Sequence, residues 1–168
     1  MAISLQNGTA VEVRPIRSSD KAVLAAGHGR LSDETVHRRF LSAKPSLSSA
    51  ELRYLTEVDG QDHYALLAVL ADDPSQVVGV ARFVRLKDDP AAAEAAVVVG
   101  DPYQRQGLGK RLGLMLADAA RERGVERFTA TMLGDNLPAH RLMAAISERL
   151  RAEPPAGGAV TLVAELAA

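Results

Sequence analysis

The fold is decided at residues 104–110, which read Gln104-Arg105-Gln106-Gly107-Leu108-Gly109-Lys110. This stretch follows a strongly apolar run at 95–99, typical of a buried strand, and it opens a long amphipathic segment typical of a helix. Glycines between a strand and a helix let the backbone approach a ligand closely, and the first N–H groups of the helix point at an anion. The stretch therefore predicts a site for a phosphate-bearing ligand.

Two common phosphate-binding motifs do not fit this spacing. A P-loop would need a glycine where Gln104 stands and a Ser or Thr after Lys110, where the chain has Arg111. A dinucleotide-binding fingerprint would need its third glycine at Leu112, which is too bulky for close helix–strand packing. The pattern that remains is Gln-x-x-Gly-x-Gly.

Composition predicts a water-soluble protein with a single domain over residues 1–168, since 47% of the chain is hydrophobic and 24% is charged. The formal net charge of −1 gives no reason to expect nucleic acid or an acidic membrane as a partner. No apolar run is long enough to span a bilayer and no signal peptide is evident, so we expect a cytoplasmic protein.

The inventory of reactive side chains is short. Cysteine is absent, which excludes disulfides, thiolate metal sites and cysteine nucleophiles. The four histidines lack metal-ligand spacing, so we expect no metal. No Gly-x-Ser-x-Gly elbow supports a serine hydrolase.

Hydrophobic periodicity and turn residues divide the chain into alternating blocks of strands and helices. Three strands with short turns between them predict an antiparallel meander, and the strand–helix–strand unit at 91–132 predicts a parallel pair. A loose N-terminus is expected to precede the first strand. The pattern predicts strands at 11–16, 63–71, 76–86, 91–100, 125–132 and 159–166, and helices at 18–24, 32–40, 51–56, 107–123 and 137–150.

The loop and the element order together resemble the GNAT superfamily of acyl-CoA N-acyltransferases. Gln104 to Gly109 is similar to the pyrophosphate loop of that family, Arg/Gln-x-x-Gly-x-Gly/Ala. The resemblance implies an α/β (α+β) fold with a mixed, mostly antiparallel central sheet, a parallel βαβ pair and flanking helices. Further segments are similar to the catalytic domains of bacterial Pat-type protein lysine acetyltransferases, namely Leu31-Ser32-Asp33-Glu34, Arg39-Phe40, Lys44-Pro45, Leu47-Ser48 and Ala93-Glu94-Ala95-Ala96-Val97-Val98-Val99.

The resemblance implies acetyl-CoA as co-substrate. The strand before the loop would pair its backbone with the pantetheine arm, and Asn136 would hydrogen-bond the same arm, although Asn136 also fits an ordinary helix N-cap. The basic side chains at the loop fit either phosphate contact or a solvated helix start. The residues assigned to acetyl-CoA are Val97, Val98, Val99, Gln104, Arg105, Gln106, Gly107, Leu108, Gly109, Lys110 and Asn136.

Glu94 is the candidate general base. It is the only charged residue within 91–100, and strand alternation places it on the face of Ala96 and Val98, where a carboxylate in partly apolar surroundings becomes a better base. Pat-type enzymes have a catalytic Glu at this position relative to the loop. The alternative is a solvent-facing residue at the strand start. Many GNAT enzymes also use a Tyr in the last main helix to reprotonate the CoA thiolate, and residues 137–150 contain none.

These residues predict an N-acetyltransferase that works by direct transfer in a ternary complex, since no cysteine can carry an acyl group. The acceptor is a protein lysine by resemblance, with a small amine such as an amino acid, polyamine or antibiotic as the alternative. A non-catalytic acyl-CoA-binding module and another kind of nucleotide-binding protein stay open. The chain is expected to be a monomer or a homodimer.

Overall fold

The computed structural model describes residues 1–167 as one eight-stranded sheet with helices on both faces. The strands are β1 Ala2–Ser4, β2 Ala10–Pro15, β3 His63–Leu70, β4 Val77–Arg85, β5 Ala92–Val99, β6 Arg127–Leu133, β7 Ser147–Ala152 and β8 Ala159–Leu166. The helices are α1 Lys21–Gly29, α2 Asp33–Phe40, α3 Ser49–Thr56, α4 Leu108–Glu122 and α5 Leu137–Ile146. None of these helices has the length and apolar character needed to cross a membrane.

The strands follow the order β1-β2-β3-β4-β5-β6-β8-β7 across the sheet. Every neighbouring pair is antiparallel except β5 and β6, which are joined through α4 and run parallel. The predicted fold is therefore confirmed, including the meander β3-β4-β5 and the βαβ pair. The prediction that residues 1–168 form a single domain stays a prediction.

The two faces of the sheet have different cores. Helices α4 and α5 cover one face, where Leu112 and Leu116 pack with Phe83 and Phe128 from the strands. Helices α1 and α3 pack on the other face, around a smaller cluster that includes Leu24, Leu67 and Val80. Strand alternation therefore assigns each β4 and β5 side chain either to the α4 side or to the α1–α3 side.

Two sequence predictions were wrong. The helix predicted at 137–150 ends at Ile146, because Ser147 turns to extended backbone (φ −109°, ψ 143°) and residues 147–152 become β7, paired with β8. The N-terminus is not loose, since β1 pairs with β2 in a hairpin. Its turn is closed by a hydrogen bond from Gly8 N to Leu5 O at 2.9 Å, and Gly8 follows at φ +89°. A three-residue hairpin loop of this kind commonly ends in a glycine with a left-handed backbone.

Candidate active site

The site is built on a gap between the two parallel strands. β5 and β6 pair only at Ala92, Ala93 and Glu94, opposite Arg127 to Thr129, and then separate. Residues 95–99 pair with β4 on one side only, so their edge toward β6 carries unpaired backbone groups. Glu94 lies at the closed end of this wedge, and Val97, Val98 and Val99 line its open part as half-buried residues.

The glycine loop lies at the open end of the wedge. Arg105 and Gly107 have positive φ values of 61° and 85°, and α4 begins directly afterwards at Leu108. Gly107 is the N-cap and provides no side-chain cap, so the first N–H groups of this 15-residue helix have no intrahelical acceptor. These donors, at the positive end of the helix dipole, suit a pyrophosphate. Leu108 instead anchors the loop, because its side chain is buried in the core.

Hydrogen bonds hold the loop from both sides. On one side, Gln104 Nε2 donates to Val99 O at 3.0 Å and to Thr35 Oγ1 at 3.2 Å. On the other, the β1–β2 hairpin contacts Gln106, whose Oε1 accepts from Asn7 N at 3.0 Å. The side chains of Gln104 and Gln106 therefore tie the loop to β5, to α2 and to the β1–β2 hairpin. Those of Arg105, Lys110 and Arg111 are exposed.

Asn136 lies at the same edge of the sheet as the loop. It follows β6 as the loop follows β5, and the carboxyl ends of parallel strands meet at one edge. Its buried side chain caps α5, with Oδ1 accepting from Ala139 N at 3.3 Å. Asn136 is therefore the N-cap of α5, and only the oxygen of its side-chain amide takes part in the cap.

Glu94 shares a face with Ala96 and Val98, as alternation predicts, but its side chain is exposed. The expected apolar surroundings are therefore wrong for this residue, because α2, which packs near β5 and β6, leaves the Glu94 side chain open to solvent. Its charged neighbour is Arg39 of α2. Burial lowers the pKa of Arg39, and the nearby Glu94 carboxylate opposes that effect.

A cavity of about 160 Å³ lies on the same face of the sheet, beneath α1, α2 and α3. Val80, Ala96 and Val98 form its apolar floor, and Arg39 and Arg82 bring their guanidinium groups to its wall. We call this space the arginine cavity. Glu94 does not line the cavity, but it lies on the same face of the sheet as Arg82 and Ala96, which do.

Arg82 is held in a fixed position inside β4. It is only 5% exposed, and its Nη1 donates to Leu55 O at 3.0 Å and to His63 Nε2 at 2.9 Å. Because a guanidinium only donates, His63 is neutral with its proton on Nδ1. Burial and the charge of Arg82 lower the pKa of His63 to about 4. Burial and the charge of Arg39 likewise lower the pKa of Arg82 to about 10, which leaves it charged at neutral pH.

Comparison with known proteins agrees with this geometry. A model of the acetyltransferase (GNAT) family matches residues 33–146. The chain belongs to the GNAT family. It is 35% identical over 141 residues to Acetyltransferase Pat of Mycolicibacterium smegmatis, a match that covers 84% of this chain and 42% of that protein. The chain thus spans less than half the length of this relative.

Solved GNAT structures share the fold. The GNAT domain of S. lividans PAT superposes with a TM-score of 0.87 at 28% identity, covering 99% of this chain and 96% of that one. The acetyltransferase yncA of Salmonella typhimurium, solved with acetyl-CoA, has a TM-score of 0.75 at 18% identity and covers 94% of each chain. The predicted likeness to the GNAT superfamily and to Pat is confirmed.

Helix α5 contains no Tyr, and its inward-facing Met143 is buried in the core. One turn earlier, His140 Nε2 is buried and has no hydrogen-bond partner among residues 1–167. Arg39, Arg82 and His63 are site residues that no sequence motif indicated. A signal was present, since Arg82 interrupts an otherwise apolar strand face.

Proposed function

We propose that this chain is an N-acetyltransferase that transfers the acetyl group of acetyl-CoA directly to a primary amine. The observation that carries the proposal is the wedge between β5 and β6, which opens after Glu94 and leads to the loop at 104–109. An extended thioester arm fits such a wedge, and a pyrophosphate fits the free N–H groups at its outer end.

The donor is held largely by the backbone. The edge of residues 97–99 that faces away from β4 offers backbone groups to the amides of the pantetheine arm, in the manner of an added strand, with Val99 O already accepting from Gln104 Nε2. The loop N–H groups from Arg105 to Lys110 surround the phosphates, with the side chains of Arg105 and Lys110 adding positive charge. The side-chain nitrogen of Asn136 is available to the arm, since only the oxygen of that amide serves as the cap.

Glu94 acts as the general base in this proposal. At the closed end of the wedge its carboxylate is positioned to take a proton from the acceptor ammonium, directly or through one water. Transfer is direct because the chain has no cysteine that could form an acyl-enzyme. No residue is assigned as general acid, and a thiolate leaves without one.

A protein lysine is the first acceptor class to test, because of the likeness to Pat-type enzymes. A small amine is the second, and the arginine cavity supports it, since about 160 Å³ beneath α1–α3 suits a compact molecule. We further propose that the protein is cytoplasmic and uses no metal.

Two measurements test the function. Thermal unfolding is followed with acetyl-CoA, ATP and NAD, and acetyl-CoA alone is expected to stabilise the fold. Release of CoA thiol is then measured with a panel of purified proteins and a panel of amino acids, polyamines and aminoglycosides. Stabilisation by ATP or NAD without acetyl-CoA would overturn the proposal. Binding of acetyl-CoA without turnover on either panel would instead identify a non-catalytic binding module.

A further inference from the structure

Arg82 is a buried cation without a counter-ion. Neither Arg82 nor Arg39 forms an ion pair with any residue in the range 1–167. The two bonds made by Arg82 Nη1 go to neutral acceptors, a carbonyl and an imidazole. A charge in this condition is unfavourable unless an anion joins it.

Part of the Arg82 guanidinium remains available for a ligand. Its Nε and Nη2 donate to no acceptor within the described chain. Neither of these nitrogens is fully buried. Among residues 1–167, the one fully buried side-chain nitrogen or oxygen that lacks a hydrogen-bond partner is His140 Nε2. Since Arg82 lines the arginine cavity, these N–H groups open into it.

Arg39 brings a second guanidinium to the same cavity from α2. It is half-buried, and it lies 4.7 Å from the ring centroid of Phe40, which fixes its side chain by a cation–π contact. Within residues 1–167 it has no hydrogen-bond acceptor of its own, so its donors are also available.

The acidic groups near the cavity do not neutralise this pair. Asp101 lines the cavity, but its carboxylate accepts hydrogen bonds from Ser32 and Thr35. Glu94 is exposed and makes no ion pair among the described residues, but its carboxylate lies near enough to Arg39 to act against the lowering of that pKa. The arginine cavity therefore combines an apolar floor with two guanidinium groups that no carboxylate of residues 1–167 contacts directly.

We propose that Arg39 and Arg82 bind a carboxylate of the acceptor, close to the amine that receives the acetyl group. The guanidinium fork matches a carboxylate in a bidentate arrangement. Arg82 pairs with Ala96, and Glu94 stands two residues along β5 on the same face, on the order of 7 Å away. A molecule with an amine and a carboxylate a few bonds apart spans these groups.

The anion proposed to bind Arg39 and Arg82 is a carboxylate of the acceptor and not a phosphate of the donor. The loop opens α4, which packs on the opposite face of the sheet, whereas Arg39 and Arg82 line the cavity beneath α1–α3, whose lining includes residues 100–103 just before the loop. The chemistry can come from a free amino acid or from an acidic residue next to a lysine in a peptide. This inference rests on the proposed function, and the experiment separates the failure of one from the failure of the other.

The test compares acceptors that differ only in this charge. Glycine, β-alanine and 4-aminobutyrate are paired with their amides, and a Lys-Glu peptide is paired with a Lys-Gln peptide. Wild-type protein is expected to show a KM at least about tenfold lower for the charged member of one series. Arg39→Gln is expected to bring that KM ratio close to one. Arg38→Gln, on the same helix but paired with Glu34, is the matched control and keeps the ratio.

A second measurement does not depend on turnover. The side-chain Nε–H resonances of Arg39 and Arg82 are followed by NMR while the same compounds are added to wild-type protein with CoA. Saturable shifts with the acids and not with the amides support the subsite even if no acetylation is detected. Equal KM values within every pair, or shifts that do not distinguish acid from amide, would overturn it. Absence of CoA release with every amine contradicts only the proposed function.

Discussion

Asp101 accepts hydrogen bonds from both the backbone N–H and the Oγ of Ser32, at 2.9 and 2.6 Å. A third bond comes from Thr35 Oγ1 at 2.8 Å. Ser32 is the N-cap of α2, and Asp101 lies two residues after the end of β5, just before the glycine loop. The start of the donor loop is thus tied to the helix that carries Arg39, so the two halves of the site are positioned together.

We expect Asp101→Asn to loosen this connection. An amide retains one good acceptor and loses the charge, so the free energy of unfolding should fall by about 1–2 kcal/mol. KM for acetyl-CoA and for the acceptor should rise together, because loop and helix both move. Urea unfolding and steady-state kinetics measure these effects, with the exposed Asp88→Asn as control. A rise in only one KM would argue against shared positioning.

The same carboxylate gives a pH dependence. Burial raises the pKa of Asp101, but the hydrogen bonds from Ser32 and Thr35 outweigh it and hold the pKa below its ordinary value. The contribution to stability is therefore present above the unfolded pKa, near 4, and is lost as the pH falls through the lower folded value. Asp101→Asn should remove this loss in acid.

His63 gives a second pH dependence at higher pH. Its pKa is near 6.5 in the unfolded chain and about 4 in the fold, so the unfolded chain binds the proton first. The contribution of neutral His63 to the free energy of unfolding has its full value above pH 6.5. The free energy of unfolding falls by up to about 3 kcal/mol as the pH drops toward 4. His63→Gln, which can still accept from Arg82, should flatten this slope in urea titrations.

The exposed His37→Gln serves as the control for that measurement, because it changes the same residue type without touching Arg82. An unchanged slope in His63→Gln would show that another group carries the acid sensitivity.

Replacement of the candidate base tests the chemistry itself. Glu94→Gln keeps the size of the side chain and removes its basicity, so kcat should fall by about 100-fold while the Kd for acetyl-CoA stays nearly constant. Rapid-mixing kinetics and calorimetry measure the two quantities. Glu148→Gln on the exposed surface of β7 is the matched control. Turnover equal to wild type would exclude Glu94 as the base.

Local patterns predicted most of the fold, and the exceptions depend on distant contacts. Residues 147–152 read as helix formers, and the stripe through Leu142, Ile146 and Leu150 continues a helical spacing. They form β7 because β8 offers an edge to pair with. Tertiary pairing of this kind overrides local propensity and is not visible within the segment.

The candidate site likewise contains features that local sequence predicted and features that depend on distant contacts. The loop at 104–109 was visible because its glycines are local signals, and the parallel pair β5–β6 followed from the βαβ order, but the separation of these two strands after Glu94 did not. The sequence did not reveal that Arg39 and Arg82 are neighbours, because α2 and β4 are far apart in the chain and meet only when α2 folds over the sheet. An arginine in a buried strand indicates an unusual site, but its partners depend on the tertiary structure.

The glycine loop offers a matched pair of substitutions. Gly107 has φ +85°, and a Cβ there would meet nothing closer than Gln6 Nε2 at 3.8 Å, so the cost of Gly107→Ala is one of backbone conformation. We expect the free energy of unfolding to fall by about 1–2 kcal/mol. The Kd for acetyl-CoA should rise at least about tenfold, since the N–H groups of the first turn lose their alignment.

Gly109→Ala is the control, because it lies inside α4 and a Cβ there makes an ordinary contact of 3.6 Å with Val99 Cγ2. Alanine favours a helix by up to about 1 kcal/mol over glycine, so stability should hold or rise. Acetyl-CoA binding should change by no more than about threefold, as for other tolerated surface changes. If Gly109→Ala weakens binding as much as Gly107→Ala while the fold stays intact, the ligand approaches the backbone at 109. In that case the close approach of a ligand, and not the left-handed turn at 107, would explain the second glycine.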